Sequence, residues 1–316
     1  MPKVSVIVFA DNTAHILARC LASIVRQTLS DVEVIVIRDG GGDDCATICN
    51  GFAQQYDNVH ALEVRGATLA KAYDTGISMA HGQYIMFVKA DDFIAPNACE
   101  LMYANAVKHD SDLVKCGIAD FSSDKEVFLI PKWEEGILGN IPETDEVFTL
   151  DRHKELLTYH GAVYATLFKT EFIRDMKFSD GCGAAYQEFA FIIKSMICAT
   201  RISVVKDWLY LWNINAAEYA VPGTSETLIG ILEPFEAAKQ WMIAHDCFDN
   251  YMAEFYKQVM IITMGFYEFI SDNYKPEFFK RLQQFYSDVN MFIFPRVSCM
   301  FSQAQVRFLI EILKDN

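Results

Sequence analysis

Short hydrophobic runs alternate with amphipathic stretches through the first part of this chain of 316 residues. The runs are rich in β-branched and aromatic residues, which is typical of strands buried on both faces of a sheet. Between them, apolar residues recur at helical spacing, which indicates helices with one buried face. The runs that predict strands are Val4–Phe9, Val32–Ile37, Val59–Val64, Tyr84–Val88 and Leu113–Gly117.

The predicted strands return at intervals of roughly 25 residues with a helical pattern between them, which is βαβ repetition. Thr68 is expected to cap a helix from Leu69 to Ala80, and His81-Gly82 ends that helix. Right-handed crossovers between successive strands then give a mostly parallel sheet. The pattern therefore predicts an α/β, Rossmann-like fold.

The alternation breaks down between Asp120 and Leu150, where glycine, proline and mixed polarity suggest a long excursion with a short hairpin. Long loops in compact domains are often functional, so we expect this one over the ligand-binding edge of the sheet. A helix is predicted from Asp151 to Tyr159. Strand-like pieces follow at Val163–Phe168, Ile202–Val205 and Trp208–Trp212.

Helical periodicity with many aromatic residues and methionines runs from Thr224 to Asn316. Breaks near Asp246, Lys275-Pro276 and Pro295 predict three or four helices. We therefore expect a sheet domain over residues 1–221 and a helical appendage over 222–316. The aromatic stripe is interpreted mainly as core, and an oligomer interface or a surface for a lipid-linked acceptor is the alternative.

The formal net charge of −15 argues against nucleic acid as a partner and disfavours docking on anionic lipid. No apolar run approaches the ~20 residues that span a bilayer, and the chain begins directly with a strand, so no signal peptide is expected. The nine cysteines are an odd number in mostly apolar settings, which suggests reduced thiols in the cytoplasm. Cys45 and Cys49 fit the core face of a helix better than half of a zinc site.

Charged residues follow the hydrophobic run Tyr84–Val88 directly, in the order Lys89-Ala90-Asp91-Asp92. Ligands of open α/β sheets bind beyond the carboxyl ends of the strands, and two carboxylates there suit a divalent cation. A solvated strand end is the simpler interpretation. Further along, Glu188 begins an amphipathic helix after a loop of small residues. It is either an ordinary charge at a helix start or a general base.

Over about residues 3 to 215 the chain resembles the family 2 glycosyltransferases of the GT-A fold. The segments that carry the resemblance are Lys3–Val8 with Asn12-Thr13, Arg19–Thr28, Asp39-Gly40, Asp74–Ile77, Gly82–Val88 before the position of the Asp-X-Asp motif, Phe168–Ile173, and Gln187–Phe191. The resemblance implies inverting transfer of a sugar from a nucleotide-diphospho-sugar, with a UDP-sugar favoured. The acceptor would be a glycan or a lipid-linked glycan in surface polysaccharide synthesis.

Positions carried over from that family assign roles to particular residues. The resemblance implies that Asp39 binds the nucleobase, Asp91 holds Mn²⁺ or Mg²⁺, and Glu188 deprotonates the acceptor hydroxyl. The positions implied at the nucleotide-sugar site are Ala10, Asn12, Asp39, Lys71, Tyr73, Lys89 and Asp92. The protein is expected in the cytoplasm, with peripheral contact at the inner face of the membrane and a homo-oligomer through its C-terminal helices as open options.

Several of these positions depart from the family pattern. Lys89 replaces the first acid of Asp-X-Asp, Tyr73 replaces a basic residue, and Gln187-Glu188 replaces Glu-Asp. We therefore expect metal binding to be weak or absent in the free protein. Lys89 either binds phosphate or plugs the pocket by pairing with Asp91 or Asp92. A catalytically inactive relative that binds a nucleotide sugar or a partner transferase is the alternative function.

Overall fold

The computed structural model describes residues 1–11, 13–40, 44–122, 127–129, 146–159, 163–178, 186–214 and 230–314. The chain divides into two compact units. The first comprises Met1–His153, Ala162–Asp180 and Ser195–Val221, and the second comprises Lys154–Gly161, Gly181–Lys194 and Pro222–Asn316. The two short internal stretches thus group with the C-terminal residues.

The first unit is built on strands and helices in βαβ order. Its strands are β1 (Val4–Ala10), β2 (Val32–Arg38), β3 (Val59–Glu63), β4 (Tyr84–Lys89), β5 (Phe93–Ile94), β6 (Leu113–Ser122), β7 (Val127–Leu129), β8 (Thr166–Lys169) and β9 (Ile202–Asn213). Its helices include α1 (Ala14–Val25), α2 (Cys45–Gln55), α3 (Leu69–Met79) and α4 (Ala98–His109), and Leu150–Arg152 forms a turn of 3₁₀ helix. Further along the chain, α5 is Leu156–Tyr159, α6 is Thr170–Ile173, and α7 is Phe189–Cys198.

Within the described part of the chain, the strands form one sheet in the order β3-β2-β1-β4-β8-β6-β9-β5, with β7 paired to β6. Strands β3, β2, β1 and β4 are all parallel. Strand β8 lies between β4 and β6 and is antiparallel to both. The α/β class predicted from the alternating pattern is confirmed, and the later strands make the sheet mixed.

The structure refines several predicted elements. The cap on α3 is confirmed, because the Thr68 hydroxyl accepts a hydrogen bond from the backbone N–H of Lys71 at 3.2 Å. The two strand-like pieces after residue 202 are one strand, β9, whose register against β6 shifts beside Gly117. The helix expected over 151–159 is wrong as one element, since the 3₁₀ turn and α5 are separate. Strands β6 and β7 form the expected hairpin, and most of the excursion lies outside the described residues.

The centre of the first unit is apolar, and a polar network closes the amino end of β4. Side chains Ile85, Phe87 and Val88 have no exposed surface, and burying each stabilises the fold by about 1.5–3 kcal/mol. The Glu33 carboxylate, 4% exposed, accepts hydrogen bonds from the Ser5 hydroxyl and from the Gly82 N–H at 2.9 Å. These bonds replace the water that a buried carboxylate loses.

The described cysteines contain no disulfide. Cys45 and Cys49 are both buried on α2, so the prediction that they lie on the core face of a helix is confirmed.

Helices dominate the second unit. After residue 230 these are α8 (Leu232–Ala244), α9 (Phe248–Phe269), α10 (Lys275–Phe285), α11 (Phe294–Ser298) and α12 (Gln303–Leu313). The predicted breaks are confirmed, with one helix more than expected because Pro276 and Pro295 each begin a helix instead of interrupting one. No helix in the described ranges is long and apolar enough to cross a membrane.

Candidate active site

Three neighbouring parallel strands end together at one edge of the sheet. In the register of these strands, Ala10 of β1 lies beside Arg38 of β2, and Phe9 of β1 lies beside Lys89 of β4. Beyond these ends the chain continues into α1, α2 and the short strand β5, so the edge is formed by the loops that follow the three strands. This is the position at which open α/β sheets bind ligands.

The Lys89 side chain forms an ion pair across this strand end. Its Nζ lies 3.3 Å from Oδ2 of Asp91. The lysine side chain keeps 34% of its surface exposed, whereas that of Asp91 keeps 12%. Asp91, predicted as a metal ligand, is thus the ion-pair partner of a lysine.

Asp92 points into the protein instead of toward the edge. It is 2% exposed, and its two carboxylate oxygens accept hydrogen bonds from the Tyr210 hydroxyl at 2.7 Å and from the Asn213 N–H at 2.9 Å. Burial raises the pKa of Asp92 to about 7, against the opposing effect of the Lys89 ammonium. The expectation that Asp92 contacts the nucleotide therefore does not match its placement, because strand β9 supplies the partners that solvent or ligand would.

The backbone around Lys89 is fixed by contacts that the sequence pattern did not reveal. Its N–H donates to the Tyr210 hydroxyl at 3.2 Å, and its carbonyl accepts from the Cys20 thiol at 3.3 Å and from the Asp92 N–H at 3.0 Å. Tyr210 thus joins the end of β4 to Asp92. Burial, followed by the nearby Asp92 charge, raises the pKa of Tyr210 well above its ordinary value.

Arg19 is a further residue near this edge for which sequence reasoning assigned no role. Its guanidinium lies 4.6 Å from the ring centres of both Phe93 and Phe121. Stacking on aromatic faces is characteristic of arginine, and cation–π contacts of this kind hold α1 against β5 and β6. The sequence signal that could have identified Arg19 is that it is the single arginine of the predicted amphipathic helix.

Asp39 lies on the loop that follows β2, and Lys71 lies in helix α3, which begins after the loop that follows β3. Oδ1 of Asp39 accepts a hydrogen bond from the Ala67 N–H at 2.8 Å, which ties these two loops together. The adjacent Gly40 has a φ of +77°, a backbone conformation that favours glycine. Lys71 is exposed in the first turn of α3, so its ammonium is a second cation at the same edge.

Three other predicted donor-site residues have different placements. Ala10 is buried at the end of β1. Tyr73 is 1% exposed, with its hydroxyl 3.3 Å from that of Tyr164 and its ring packed against Phe87, so it has a packing position in the core. This differs from the ligand contact expected of it, because an aromatic ring at this point of α3 joins the apolar face. Asn12 lies outside the described residues.

Glu188 lies in the second unit, immediately before α7. Its carbonyl accepts the Ile192 N–H at 3.1 Å, so the residue occupies the start of the helix as predicted. Its side chain is half-buried. Burial, with the Glu188 charge as the second cause, raises the pKa of nearby Tyr186 to about 12.

The residues at the end of β4 do not fit the divalent cation that the resemblance implies. Both oxygens of Asp92 are occupied, and Asp91 is paired with Lys89. At ~4 Å and an effective dielectric near 20, a lysine repels a unit positive charge by ~4 kcal/mol and a divalent ion by about twice that. Among the described residues, no group of three His, Cys, Asp or Glu side chains is arranged to hold a metal.

The fold is that of the GT-A glycosyltransferases, as comparison with a solved structure shows. The S. aureus TarS 1-349 structure in complex with UDP-GlcNAc aligns with a TM-score of 0.72 and 20% identity, over 99% of this chain and 91% of that one. This likeness concerns the fold.

The chain belongs to the family described as Glycosyl transferase family 2, whose model matches residues 5–175. The protein called uncharacterized glycosyltransferase EpsJ, from Bacillus subtilis (strain 168), is 27% identical over 68% of this chain. The poly(ribitol-phosphate) beta-glucosyltransferase of Bacillus spizizenii (strain ATCC 23059 / NRRL B-14472 / W23) is 27% identical over 67% of it. The chain spans 62% of EpsJ and 32% of the glucosyltransferase.

Proposed function

We propose that this protein is an inverting glycosyltransferase that moves a sugar from a nucleotide-diphospho-sugar to a glycan or lipid-linked acceptor. The observation that supports the proposal is that Asp39, Lys71 and Lys89 come at or soon after the carboxyl ends of the parallel strands β2, β3 and β4 in a family 2 chain. The TarS complex with UDP-GlcNAc supports a UDP-sugar as donor, because that protein has the same fold. The relative called poly(ribitol-phosphate) beta-glucosyltransferase supports a polymer as acceptor.

The reaction assigns a distinct task to each end of the donor. Asp39 would contact the nucleobase, with Ala10 and Asn12 bordering it. The acceptor oxygen forms a bond to the anomeric carbon while the bond from that carbon to the diphosphate oxygen breaks, and the electron pair leaves with the diphosphate. Glu188 would take the acceptor proton. Attack opposite the leaving group inverts the anomeric carbon.

A lipid-linked acceptor would bring this protein to the cytoplasmic face of a membrane. The helices after residue 230 would supply the contact with the acceptor or with a second copy of the chain. We propose membrane contact and self-association as two consequences of a lipid-linked acceptor. Sedimentation with and without vesicles carrying the acceptor lipid distinguishes a membrane-bound protein and an oligomer from a monomer in solution.

The second candidate function is a silent relative that binds a nucleotide sugar or a partner transferase. The observation favouring it is that Lys89 and Asp91 already neutralise each other at the strand end. In this case nucleotide binding would persist without turnover. The two functions differ in a single measurable quantity, the release of nucleotide diphosphate.

A donor panel tests the proposal. Purified protein is incubated with individual UDP- and GDP-sugars, with and without candidate acceptor glycans, and the released diphosphate is measured. We expect release from one donor, stimulated by an acceptor, and a loss of about 10²–10⁴-fold in Glu188→Gln with donor binding retained. The exposed Glu171→Gln is the matched control. Binding without release from any donor would support the silent relative instead.

A further inference from the structure

The end of β4 supplies a cation of its own at the point where a transferase must neutralise its leaving group. A nucleotide diphosphate is an anion, and Asp39 and Asp91 make the neighbouring loops acidic. Lys89 is the charged residue in which β4 ends, and its register beside Phe9 places it at the edge where β1 and β2 also end. A ligand that binds across these strand ends must therefore meet the Lys89 side chain.

The contacts that Lys89, Asp91 and Asp92 already make determine which of these three residues can bind a ligand. Asp92 is occupied by Tyr210 and Asn213 and is 2% exposed. The Asp91 side chain is 12% exposed, and the Lys89 ammonium is paired with its carboxylate. The Lys89 side chain is 34% exposed. An incoming anion thus reaches the lysine more readily than an incoming cation reaches a carboxylate.

The backbone contacts of Lys89 argue for a prepared position. Tyr210 holds its N–H, and Cys20 and the Asp92 N–H hold its carbonyl. The strand end is therefore fixed, and only the Lys89 side chain would have to move when a ligand binds. Asp91 can orient the ammonium in the absence of a ligand, and a diphosphate oxygen is the same kind of acceptor as the carboxylate oxygen it would replace.

We propose that Lys89 takes the place of the divalent cation: its ammonium exchanges Asp91 for the diphosphate of the donor, so that the nucleotide binds without a metal ion. This inference rests on the proposed function and adds how the leaving group is held. When the anomeric carbon–oxygen bond breaks, the diphosphate leaves with the electron pair, and Lys89 stabilises the negative charge that it gains. The ammonium keeps its proton throughout.

Nucleotide binding measured with and without metal tests the proposal. UDP, and GDP in parallel, is titrated calorimetrically into the full chain in EDTA and again in Mn²⁺. We expect the dissociation constant for one of them to agree within about threefold in the two buffers, and to rise at least about tenfold in Lys89→Met. Lys108→Met, on the exposed end of α4, is the matched control and should bind like the parent.

A second variant tests, without any turnover, whether Lys89 stands in for a divalent cation. Lys89→Asp recreates two acids flanking Ala90, and we expect it to bind Mn²⁺ in electron paramagnetic resonance titrations where the parent leaves the free Mn²⁺ signal unchanged. Its UDP binding should become dependent on Mn²⁺.

Three results would overturn the inference. Binding by the parent that is at least about tenfold stronger in Mn²⁺ would show a metal site despite the lysine, with the proposed function intact. Unchanged binding in Lys89→Met would make the Lys89–Asp91 pair a plug. Failure of both nucleotides to bind in either buffer would remove the proposed function and this inference together.

Discussion

The Tyr210 hydroxyl donates a 2.7 Å hydrogen bond to a carboxylate oxygen of Asp92, a residue 118 positions earlier in the chain. The same hydroxyl accepts the N–H of Lys89. One phenol on β9 thus holds both the end of β4 and the aspartate that follows it. The geometry of the strand end depends on this tyrosine, to which the sequence pattern assigned no role.

Replacing that phenol tests its contribution to stability. In Tyr210→Phe, the carboxylate of Asp92 loses one of its two partners in a buried position, and we expect the free energy of unfolding to fall by about 1–3 kcal/mol. Urea unfolding followed by circular dichroism measures it. Tyr103→Phe is the control, because the Tyr103 hydroxyl donates to Gln83 at 2.9 Å in an exposed position where water can replace the bond. Equal losses in both variants would contradict a special role for Tyr210.

The Glu33 carboxylate gives the first unit a dependence on acid. Burial raises its pKa, but hydrogen bonds from Ser5, His81 and Gly82 outweigh burial and hold the pKa below the ordinary 4.5. A carboxyl group with a lowered pKa in the folded state stabilises the fold above its unfolded pKa. That contribution is lost as the pH falls through the folded pKa.

Glu33→Gln should therefore cost about 1–3 kcal/mol at pH 7, since the buried donors lose a charged acceptor. The difference from the parent should shrink as the pH falls below 4.5. Urea unfolding at neutral and acidic pH measures both values, with exposed Glu171→Gln as control. A difference that stays constant with pH would show that the carboxylate charge contributes nothing.

Two glycines make a matched pair for packing. A Cβ on Gly82 would lie 2.5 Å from the Ser5 hydroxyl oxygen and 2.6 Å from the Ser5 backbone nitrogen, whereas one on Gly51 would meet nothing within 4 Å. We expect Gly82→Ala to destabilise the protein by about 1–3 kcal/mol or more, because strand β1 must move. Gly51→Ala, inside helix α2, should stabilise it by about 0.5–1 kcal/mol. Thermal unfolding of the two variants decides it, and similar shifts in both would refute the close approach.

The second unit contains a buried lysine that is suited to the same kind of test. Lys239 is 8% exposed, donates to Asp288 at 2.8 Å, and lies over the rings of Tyr256 and Phe285. Lys239→Met keeps the apolar stem but removes the charge-assisted bond, and we expect a loss of about 1.5–3 kcal/mol. Exposed Lys280→Met should change stability by less than about 0.5 kcal/mol. Chemical unfolding of both variants, followed by tryptophan fluorescence, gives the comparison.

Periodicity predicted elements better than it predicted partners. The apolar run at Tyr84–Val88 and the Thr68 cap are local signals, and both describe the structure. The insertion of β8 between β4 and β6 depends on pairing between distant strands, which hydrophobic spacing does not encode. Asp92 illustrates the same limit, because its sequence neighbours mark it as a ligand-binding acid while Tyr210 turns it inward.

The resemblance to family 2 identified the edge at which charged residues gather, but not the placement of each side chain. Tyr73 occupies a position where the family has a basic residue, and its ring follows the apolar face of α3 into the core. Lys89 could be recognised from the sequence as a departure. That Lys89 pairs with Asp91, whose side chain is less exposed than that of the lysine, was visible only in the structure.

Hydrogen exchange with and without UDP most directly tests the central claim that a nucleotide diphosphate binds where β1, β2 and β4 end. Amide exchange is measured by mass spectrometry on the full chain in EDTA. We predict slower exchange in peptides covering residues 10–13, 38–41 and 89–92, with no change at the amino ends of the same strands. No protection at these three segments, or protection confined to the helices after residue 230, would contradict the account.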